Sequence, residues 1–132
     1  MQRDADGWRI PTESEEQQAL FQWAALQTGI FPELRLLFHI PNGGSRRKAE
    51  AGRFKAEGVK AGVPDICLPV PRGGFHGLYV ELKRRQRSKT SETQKDWITR
   101  LSEQGYFAVV CRGWNEAAEA ITLYLRLEAK AQ

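Results

Sequence analysis

The residues from Pro64 to Lys83 read PDICLPVPRGGFHGLYVELK. Two apolar runs, DICLPVP and GLYVELK, flank the glycine-rich segment PRGGFHG, a pattern that predicts two antiparallel strands joined by a hairpin loop. Asp65 begins the first run, and Glu81 lies near the end of the second. A hairpin that turns near Gly73 places these two carboxylates opposite each other on neighbouring strands, about 5 Å apart.

Carboxylates this close repel each other unless a cation lies between them. Mg²⁺ and Mn²⁺ prefer hard oxygen ligands, commonly one or two carboxylates, with water and substrate phosphate completing the shell. Side chains alternate along a strand, so Lys83 projects from the same face as Glu81, where it can hold a water or a phosphate oxygen. This group of residues predicts metal-dependent cleavage of phosphodiester bonds. The alternative is a pair of strand-end acids that face solvent beside a lysine.

The segments outside this hairpin predict a small α/β protein. An apolar stripe at helical spacing predicts a first helix over residues 14–29, with Ser14 and Gln17 as a capping box. Two more strands are predicted over 34–41 and 106–111, and the first is followed by a tight turn at PNGG. Three more helices are predicted over 45–58, 91–104 and 115–129, with Ser45, Ser91 and Asn115 as their N-caps. Their order gives a mixed four-stranded sheet flanked by helices. Residues 1–13 are predicted to be a flexible lead-in to a single domain over 14–132.

The composition limits the class of protein. The 132 residues suffice for one hydrophobic core, and 41% apolar residues with four Trp, three Tyr and six Phe indicate a folded chain. No run approaches the roughly 18 apolar residues that cross a membrane, and the first residues lack a secretion signal, so we expect an intracellular protein. Cys67 and Cys111 are predicted to be buried free thiols. A net charge of +4 is compatible with a polyanionic partner.

Pro64-Asp65 followed by Glu81-Leu82-Lys83 resembles the signature of the PD-(D/E)XK nuclease superfamily. Four longer segments narrow this resemblance to one branch of the superfamily. They are HIPNGGSRRKAEAGRFKAEGVKAGVPDICLPVP, YVELK, TSETQKDWI and NEAAEAITLYL. Together they are similar to the virus-type replication-repair nuclease branch, VRR-NUC, in its stand-alone viral or bacterial form. The resemblance extends over residues 14–125. It implies a restriction-endonuclease-like core and an endodeoxyribonuclease that uses Mg²⁺ or Mn²⁺.

The resemblance also implies roles for the residues of the hairpin. Asp65 and Glu81 match the metal-binding acids of the family. The main-chain carbonyl of Leu82 would be a further metal ligand, and Lys83 matches the catalytic lysine.

An acid on the first helix contributes to the site in this family, directly or through a water. Glu16 fits this role better than Glu15, because Glu16 shares a helix face with Leu20 and Trp23 and so points toward the sheet. The alternative is that Glu16 is a first-turn acid favoured by the helix dipole.

Three further polar residues differ in their relation to the predicted site. Gln94 matches a glutamine that lies near the site in related nucleases, which would place it among the catalytic residues. Gln94 equally occupies the third helical position of a capping box whose N-cap is Ser91. His39 and His76 resemble no ligand pair, and neither is expected in the site.

Basic residues flank the predicted site on both sides along the chain. They predict contact with a phosphate backbone without sequence readout, and the turn glycines let backbone amides approach a phosphate. The alternative for the first group is a solvated helix face, because Glu50 and Glu57 are interspersed. The predicted DNA-binding residues are Asn42, Gly43, Gly44, Arg46, Arg47, Lys48, Arg53, Lys60, Arg84, Arg85, Arg87 and Lys89.

These inferences combine into one functional prediction. We expect a metal-dependent, structure-selective DNA endonuclease that resolves four-way (Holliday) junctions, as stand-alone relatives imply. Symmetric cutting of a junction needs two sites, which implies a homodimer. The alternatives are a flap or single-strand nuclease, or a DNA-binding module without catalytic activity.

Overall fold

A computed structural model describes residues 2–41 and 48–129. Its elements are α1 (Glu13–Leu26), a 3-10 helix (Pro32–Leu36), β1 (Phe38–His39), α2 (Lys48–Ala56), β2 (Ile66–Leu68), β3 (Leu78–Lys83), α3 (Glu92–Glu103), β4 (Phe107–Arg112) and α4 (Trp114–Leu125). The strands form one sheet in the order β1-β2-β3-β4. The β1–β2 and β2–β3 pairs are antiparallel, whereas β3 and β4 are parallel. The predicted mixed four-stranded sheet flanked by helices is therefore confirmed.

The register of the β2–β3 hairpin positions the two acids. Ile66 pairs with Val80 and Leu68 with Leu78. One further step of this register brings Asp65 opposite Glu81, as the sequence predicts. Strand β2 ends at Leu68 because the next residue, a proline, has no amide hydrogen for the ladder.

The core lies between the sheet and the helix pair α1–α4. Leu20 of α1 and Ile121 of α4 pack in one cluster with Leu78, Val80 and Leu82 of β3. All five side chains are almost completely buried. Because side chains alternate along β3, its remaining residues project from the opposite face, where the candidate site is found.

Helix α1 begins two residues after Pro11, and its capping box differs from the prediction. The hydroxyl of Thr12 accepts a hydrogen bond from the Glu15 amide, and the Glu15 carboxylate accepts one from the Thr12 amide. The predicted box of Ser14 with Gln17 is wrong. Thr12 and Glu15 satisfy the same spacing, and a glutamate carboxylate is the stronger acceptor for the cap amide.

The predicted strand over residues 34–41 is mostly wrong. Its first part is the 3-10 helix from Pro32, and only Phe38 and His39 form a strand. Proline favours the first turn of a helix, and the three-residue spacing of Leu34 and Leu37 buries both side chains on one side of that turn. Apolar residues at this spacing were mistaken for a continuous strand.

Two of the other predicted caps can be checked. Ser91 caps α3 as predicted. Helix α4 begins at Trp114, so Asn115 lies inside the helix and the prediction that it is the N-cap is wrong. Ser45, the predicted cap of α2, lies outside the described residues, and α2 is described from Lys48 onward.

The segment before α1 makes defined contacts. Asp4 accepts hydrogen bonds from the amides of Asp6 and Trp8, closing a turn. Ile10 is buried, with 3% of its surface exposed. The Arg84 guanidinium donates to the carbonyls of Ile10 and Pro11, which fastens this segment to the end of β3. The domain boundary placed at residue 14 stays a prediction.

Two further features bear on the class of protein. Cys67 and Cys111 are free and buried, as predicted, and burial raises the pKa of the Cys111 thiol to about 12. In the described part of the chain, no helix has the length and apolar character needed to cross a membrane.

Candidate active site

The hairpin brings Asp65 and Glu81 together at the edge where β2 begins and β3 ends. The backbone amide of Leu82 donates a 2.9 Å hydrogen bond to Oδ2 of Asp65, which fixes this carboxylate against the neighbouring strand. One step beyond the Ile66–Val80 pair, the register places Asp65 directly opposite Glu81 on the neighbouring strand. The predicted pairing of the two acids is therefore present in the structure.

Glu81 has few partners for a buried carboxylate. Only 1% of the residue is exposed. Its Oε2 accepts a 2.9 Å hydrogen bond from Nε2 of Gln94 and lies 3.5 Å from Nζ of Lys83. Its Oε1 is buried and has no hydrogen-bond partner among the described residues. A buried oxygen without a donor is unfavourable, so this atom has unused capacity to hold a ligand.

Both carboxyl groups hold their protons more tightly than usual. Burial, followed by the negative charge of Asp65, raises the pKa of Glu81 to about 8. Burial likewise raises the pKa of Asp65, against the opposing effect of the Leu82 amide. Two neighbouring acids in a buried position cannot both ionise easily at neutral pH. A cation between them would remove this difficulty.

The donor set fits a hard divalent cation. The site offers two adjacent carboxylates and the orphaned Oε1 of Glu81, and Mg²⁺ is commonly bound by one or two carboxylates with water and phosphate. Among the residues described, no group of three or more His, Cys, Asp or Glu is arranged to hold a metal by itself. The site thus fits an ion that keeps open positions for substrate. The carbonyl of Leu82 as a further ligand stays a prediction.

Gln94 forms the predicted capping box and also contacts Glu81, while its catalytic role stays a prediction. Its side-chain Oε1 accepts a hydrogen bond from the backbone amide of Ser91. The backbone amide of Gln94 donates to the Ser91 hydroxyl, which completes the capping box of α3. Its Nε2 donates to Oε2 of Glu81. One side-chain amide therefore ties the start of α3 to the buried acid.

The turn before Asp65 is anchored on the same helix. Nε1 of Trp97 donates a 3.1 Å hydrogen bond to the carbonyl of Ala61. Gly62 has φ +89 and packs so closely that a Cβ there would lie 2.5 Å from Cγ2 of Thr93. The close approach of this turn to α3 helps to set the position of Asp65 relative to Gln94.

Glu16, the acid of the first helix that was predicted for the site, is bound by other residues, and its role in the site stays a prediction. Glu16 is buried as predicted, but its carboxylate is bound by Arg85, at 2.7 and 3.0 Å, and by the amide of Trp114 at 3.0 Å. These partners lower the pKa of Glu16 against the effect of burial. The carboxylate thus replaces the missing side-chain cap of α4.

Glu13 lies one helical turn before Glu16 and was missed. Glu13 is exposed, but desolvation raises the pKa of its carboxyl, and the strongest charges acting on it are those of Lys83 and Asp65. The i, i+3 spacing of Glu13 and Glu16 was the available signal, because these positions lie on one helix face. It was overlooked because the helix was expected to begin one residue later.

The predicted DNA-binding residues fall into three groups. Asn42, Gly43, Gly44, Arg46 and Arg47 lie outside the described residues, as does the side chain of Lys48. Arg84, Arg85 and Arg87 donate to protein oxygens of Pro11, Glu16 and Arg3, respectively. Arg53, Lys60 and Lys89 form the third group and are exposed, as are Arg85 and Arg87 of the second group.

The two histidines differ in their relation to the site. Nδ1 of His39 lies 2.9 Å from the carbonyl oxygen of Asp65. His76 instead packs against Tyr106 in the loop between β2 and β3. His39 is therefore a neighbour of the site that sequence reasoning set aside, because the β1–β2 pairing was needed to find it.

A mixed sheet whose hairpin edge carries Asp65 and the Glu81-Leu82-Lys83 run defines a nuclease core of the PD-(D/E)XK type. The sequence profile of the VRR-NUC domain matches residues 11–115. A solved structure described as a VRR_NUC domain protein is 32% identical, with a TM-score of 0.80 over 93% of this chain and 99% of that chain. No curated protein matches the sequence. The chain belongs to the VRR-NUC domain family, a family of nucleases.

Proposed function

We propose that this protein is a divalent-metal-dependent endonuclease that hydrolyses phosphodiester bonds in branched DNA. The observation that carries the proposal is the buried Asp65–Glu81 pair, with Lys83 beside it and one Glu81 oxygen left without a partner. Such a pair is unfavourable by itself and becomes favourable when it binds a cation. Membership of a nuclease family gives the chemistry that such a cation would serve.

Asp65 and Glu81 would hold Mg²⁺ or Mn²⁺, with the carbonyl of Leu82 as a further ligand. When bound, such an ion polarises the scissile phosphate and lowers the pKa of its water. The Leu82 amide orients Asp65, and Gln94 orients Glu81, so both carboxylates are held before substrate arrives. This preorganisation reduces the reorganisation needed during reaction.

Lys83 would act on the phosphate. Its ammonium group lies beside Glu81 at 3.5 Å, and the residue is 6% exposed. A positive charge held in this position stabilises the negative charge that develops on the phosphate oxygens during in-line attack. The same ammonium can orient the attacking water.

An acid of α1 would complete the site, and we favour Glu13 over Glu16 for this role. The Glu16 carboxylate is already bound by Arg85 and Trp114, whereas the Glu13 carboxyl responds to the charges of Asp65 and Lys83. Glu13 would act directly or through a water. Glu13→Gln should slow cleavage without unfolding the protein.

The preferred substrate would be a four-way junction cut by a homodimer. The support is the resemblance to stand-alone members of the family, together with the need for two sites to cut a junction symmetrically. The exposed residues Arg53, Lys60 and Lys89 would contact the phosphate backbone, together with the basic residues of segment 42–48. A flap or single-strand nuclease is the alternative within the same chemistry.

The decisive experiment is a cleavage panel of four-way junction, flap, nicked duplex and single strand, with Mg²⁺, Mn²⁺ or chelator. Lys83→Ala is compared with Lys95→Ala, which removes an exposed lysine of α3. Lys83→Ala should lower the cleavage rate by roughly 10² or more while affinity changes only a few-fold. Lys95→Ala should behave as wild type.

Three outcomes would count against this function. Undiminished cleavage in excess chelator would refute the metal site. Normal cleavage by folded Lys83→Ala would refute the assigned role of the lysine. Tight DNA binding without cleavage under any metal condition would favour the DNA-binding module over the enzyme.

A further inference from the structure

An open cleft lies beside the candidate active site, between α1 and β1. Its volume is about 270 Å³, and it is lined by Gln17, Gln18, Phe21 and His39. This volume lies just below the roughly 300 Å³ at which pockets for drug-sized ligands begin. A single planar ring system fits such a space.

One wall of the cleft is a face of α1. Glu13, the first residue of the helix, is followed at four-residue steps by Gln17 and Phe21. Residues at this spacing lie on the same face of a helix. The stripe therefore runs along α1 from its first residue to the aromatic wall of the cleft.

The opposite wall is fastened to Asp65. Nδ1 of His39 lies 2.9 Å from the carbonyl oxygen of Asp65, and His39 pairs with Ile66, the residue after it. The next residue, Ile40, also donates its amide to the Asp65 carbonyl. A strand of DNA whose phosphate lies at Asp65 would pass the mouth of the cleft.

The lining suits a nucleobase. Phe21 is partly buried against the core, so its ring is held in place, and the imidazole of His39 is exposed. Two ring surfaces supply stacking, while the amides of Gln17 and Gln18 can donate to and accept from base edges. Stacking on aromatic residues is tolerant of sequence, which agrees with an enzyme that selects structure.

We propose that this cleft binds one unpaired nucleobase of the cleaved strand, next to the scissile phosphate. The inference rests on the proposed function, because it requires DNA at Asp65. It adds a selection rule: a base that is already unpaired, as at a branch point, enters the cleft without the unpairing cost that a base in a continuous duplex would meet.

Photochemical cross-linking tests the cleft without relying on catalysis. The full-length protein is bound, in chelator, to branched and single-stranded DNA that carries 5-iodouracil at each position in turn around the cut site. The attached residue is then mapped by mass spectrometry. At one position next to the scissile phosphate, we expect cross-links to Phe21 or His39. Absence of cross-links to residues 17–21 and 39 at every position overturns the proposal, including the case in which no complex forms.

Binding by matched variants supplies a second readout. Phe21→Leu keeps an apolar side chain against the core but removes the ring, and should weaken binding of unpaired DNA about ten-fold. Binding of continuous duplex should not change. Phe38→Leu is the control. Phe38 lies next to His39 in β1 and is 47% exposed, but its side chain projects from the opposite face of the strand to that of His39. Equal losses of affinity for unpaired DNA in Phe21→Leu and Phe38→Leu would overturn the proposal that the cleft binds a base.

The two proposals fail in different ways. A protein that cuts DNA with metal but forms no cross-link in the cleft is a nuclease without this subsite. A protein that cross-links through Phe21 or His39 and never cuts retains the subsite and refutes the nuclease activity.

Discussion

Glu16 and Glu81 are equally buried, with 1% of each residue exposed, yet their environments have opposite effects. Glu16 is bound by the Arg85 guanidinium and the Trp114 amide, and these donors lower its pKa. Glu81 has one amide donor, a lysine at 3.5 Å and a second acid beside it, and its pKa rises to about 8. The difference lies in the partners and not in the depth of burial.

This contrast separates a structural acid from one suited to bind a ligand. The Glu16 carboxylate is satisfied by the protein, and it links α1 to the first turn of α4. The Glu81 carboxylate is left with an oxygen that lacks a donor. Loss of Glu16 should therefore affect stability, whereas loss of Glu81 should affect catalysis.

The largest expected effect is that of Glu81→Gln on cleavage. The amide keeps the shape of the side chain but removes the negative charge that would hold the metal, so the single-turnover rate should fall by about 10³ or more. The melting temperature in chelator should not fall, because a neutral amide removes the repulsion between the two buried acids. A rate within a few-fold of wild type would show that Glu81 is no more functional than Glu16.

Glu16→Gln should produce the reverse pattern. Breaking a buried ion pair is strongly destabilising, and the partial exposure of Arg85 reduces the effect, so we expect a loss of about 2 kcal/mol in the free energy of unfolding. Urea denaturation measures it, with Arg85→Ala as the matched variant. Cleavage per folded molecule should stay within a few-fold of wild type. A stable but inactive Glu16→Gln would instead place Glu16 in the active site, as the family resemblance implies.

The pH dependence of stability provides a third test. An acid whose folded-state pKa is raised from 4.5 to about 8 binds more protons when folded, so its contribution to stability is lost as pH rises through this range. The melting temperature in chelator should therefore fall by several degrees from mildly acidic pH to about pH 8, and Glu81→Gln should fall less. Added Mg²⁺ should raise it most at the alkaline end, because the carboxylates bind metal when ionised. A pH-independent difference between the two proteins would contradict the assigned environment of Glu81.

The smallest effect is expected at Gln94, where cap and site meet. Gln94→Glu keeps an acceptor for the Ser91 amide but cannot donate to Glu81, and it adds a like charge there. Cleavage should fall about ten-fold at neutral pH and recover partly in more alkaline buffer, while the helix content stays the same. Gln94→Ala, which loses both contacts, should also lower stability. An unchanged rate in Gln94→Glu would mean that the amide serves only the cap.

The hairpin and the positions of its acids could be predicted from the sequence, because they depend on local rules. Alternation along β3 places Glu81 and Lys83 on one face, and the buried side chains of β2 and β3 determine the register of the hairpin. The 3-10 helix was missed because Leu34 and Leu37 are apolar at a spacing that a strand and a short helix can share. That choice depends on packing against the rest of the core.

The roles of the α1 acids could not be read from sequence for a related reason. Glu16 was correctly expected to be buried, but its partner Arg85 lies far along the chain and was assigned to DNA. Long-range pairing of this kind leaves no periodic signal. The same holds for His39, whose neighbour Asp65 is found only through the β1–β2 ladder.

The hairpin register has a consequence for how this chain can be lengthened. The spacing of Glu81 and Lys83 is fixed by the pleat of one strand. Asp65 faces Glu81 because β2 pairs with β3, and this opposition does not depend on the number of residues in the connecting loop. At Gly74 an added Cβ would meet nothing within 4 Å, whereas Gly73 packs on Leu127. Residues inserted after Gly74 should leave the acids opposed, which makes that point a natural place to graft a peptide or a reporter domain into a working enzyme.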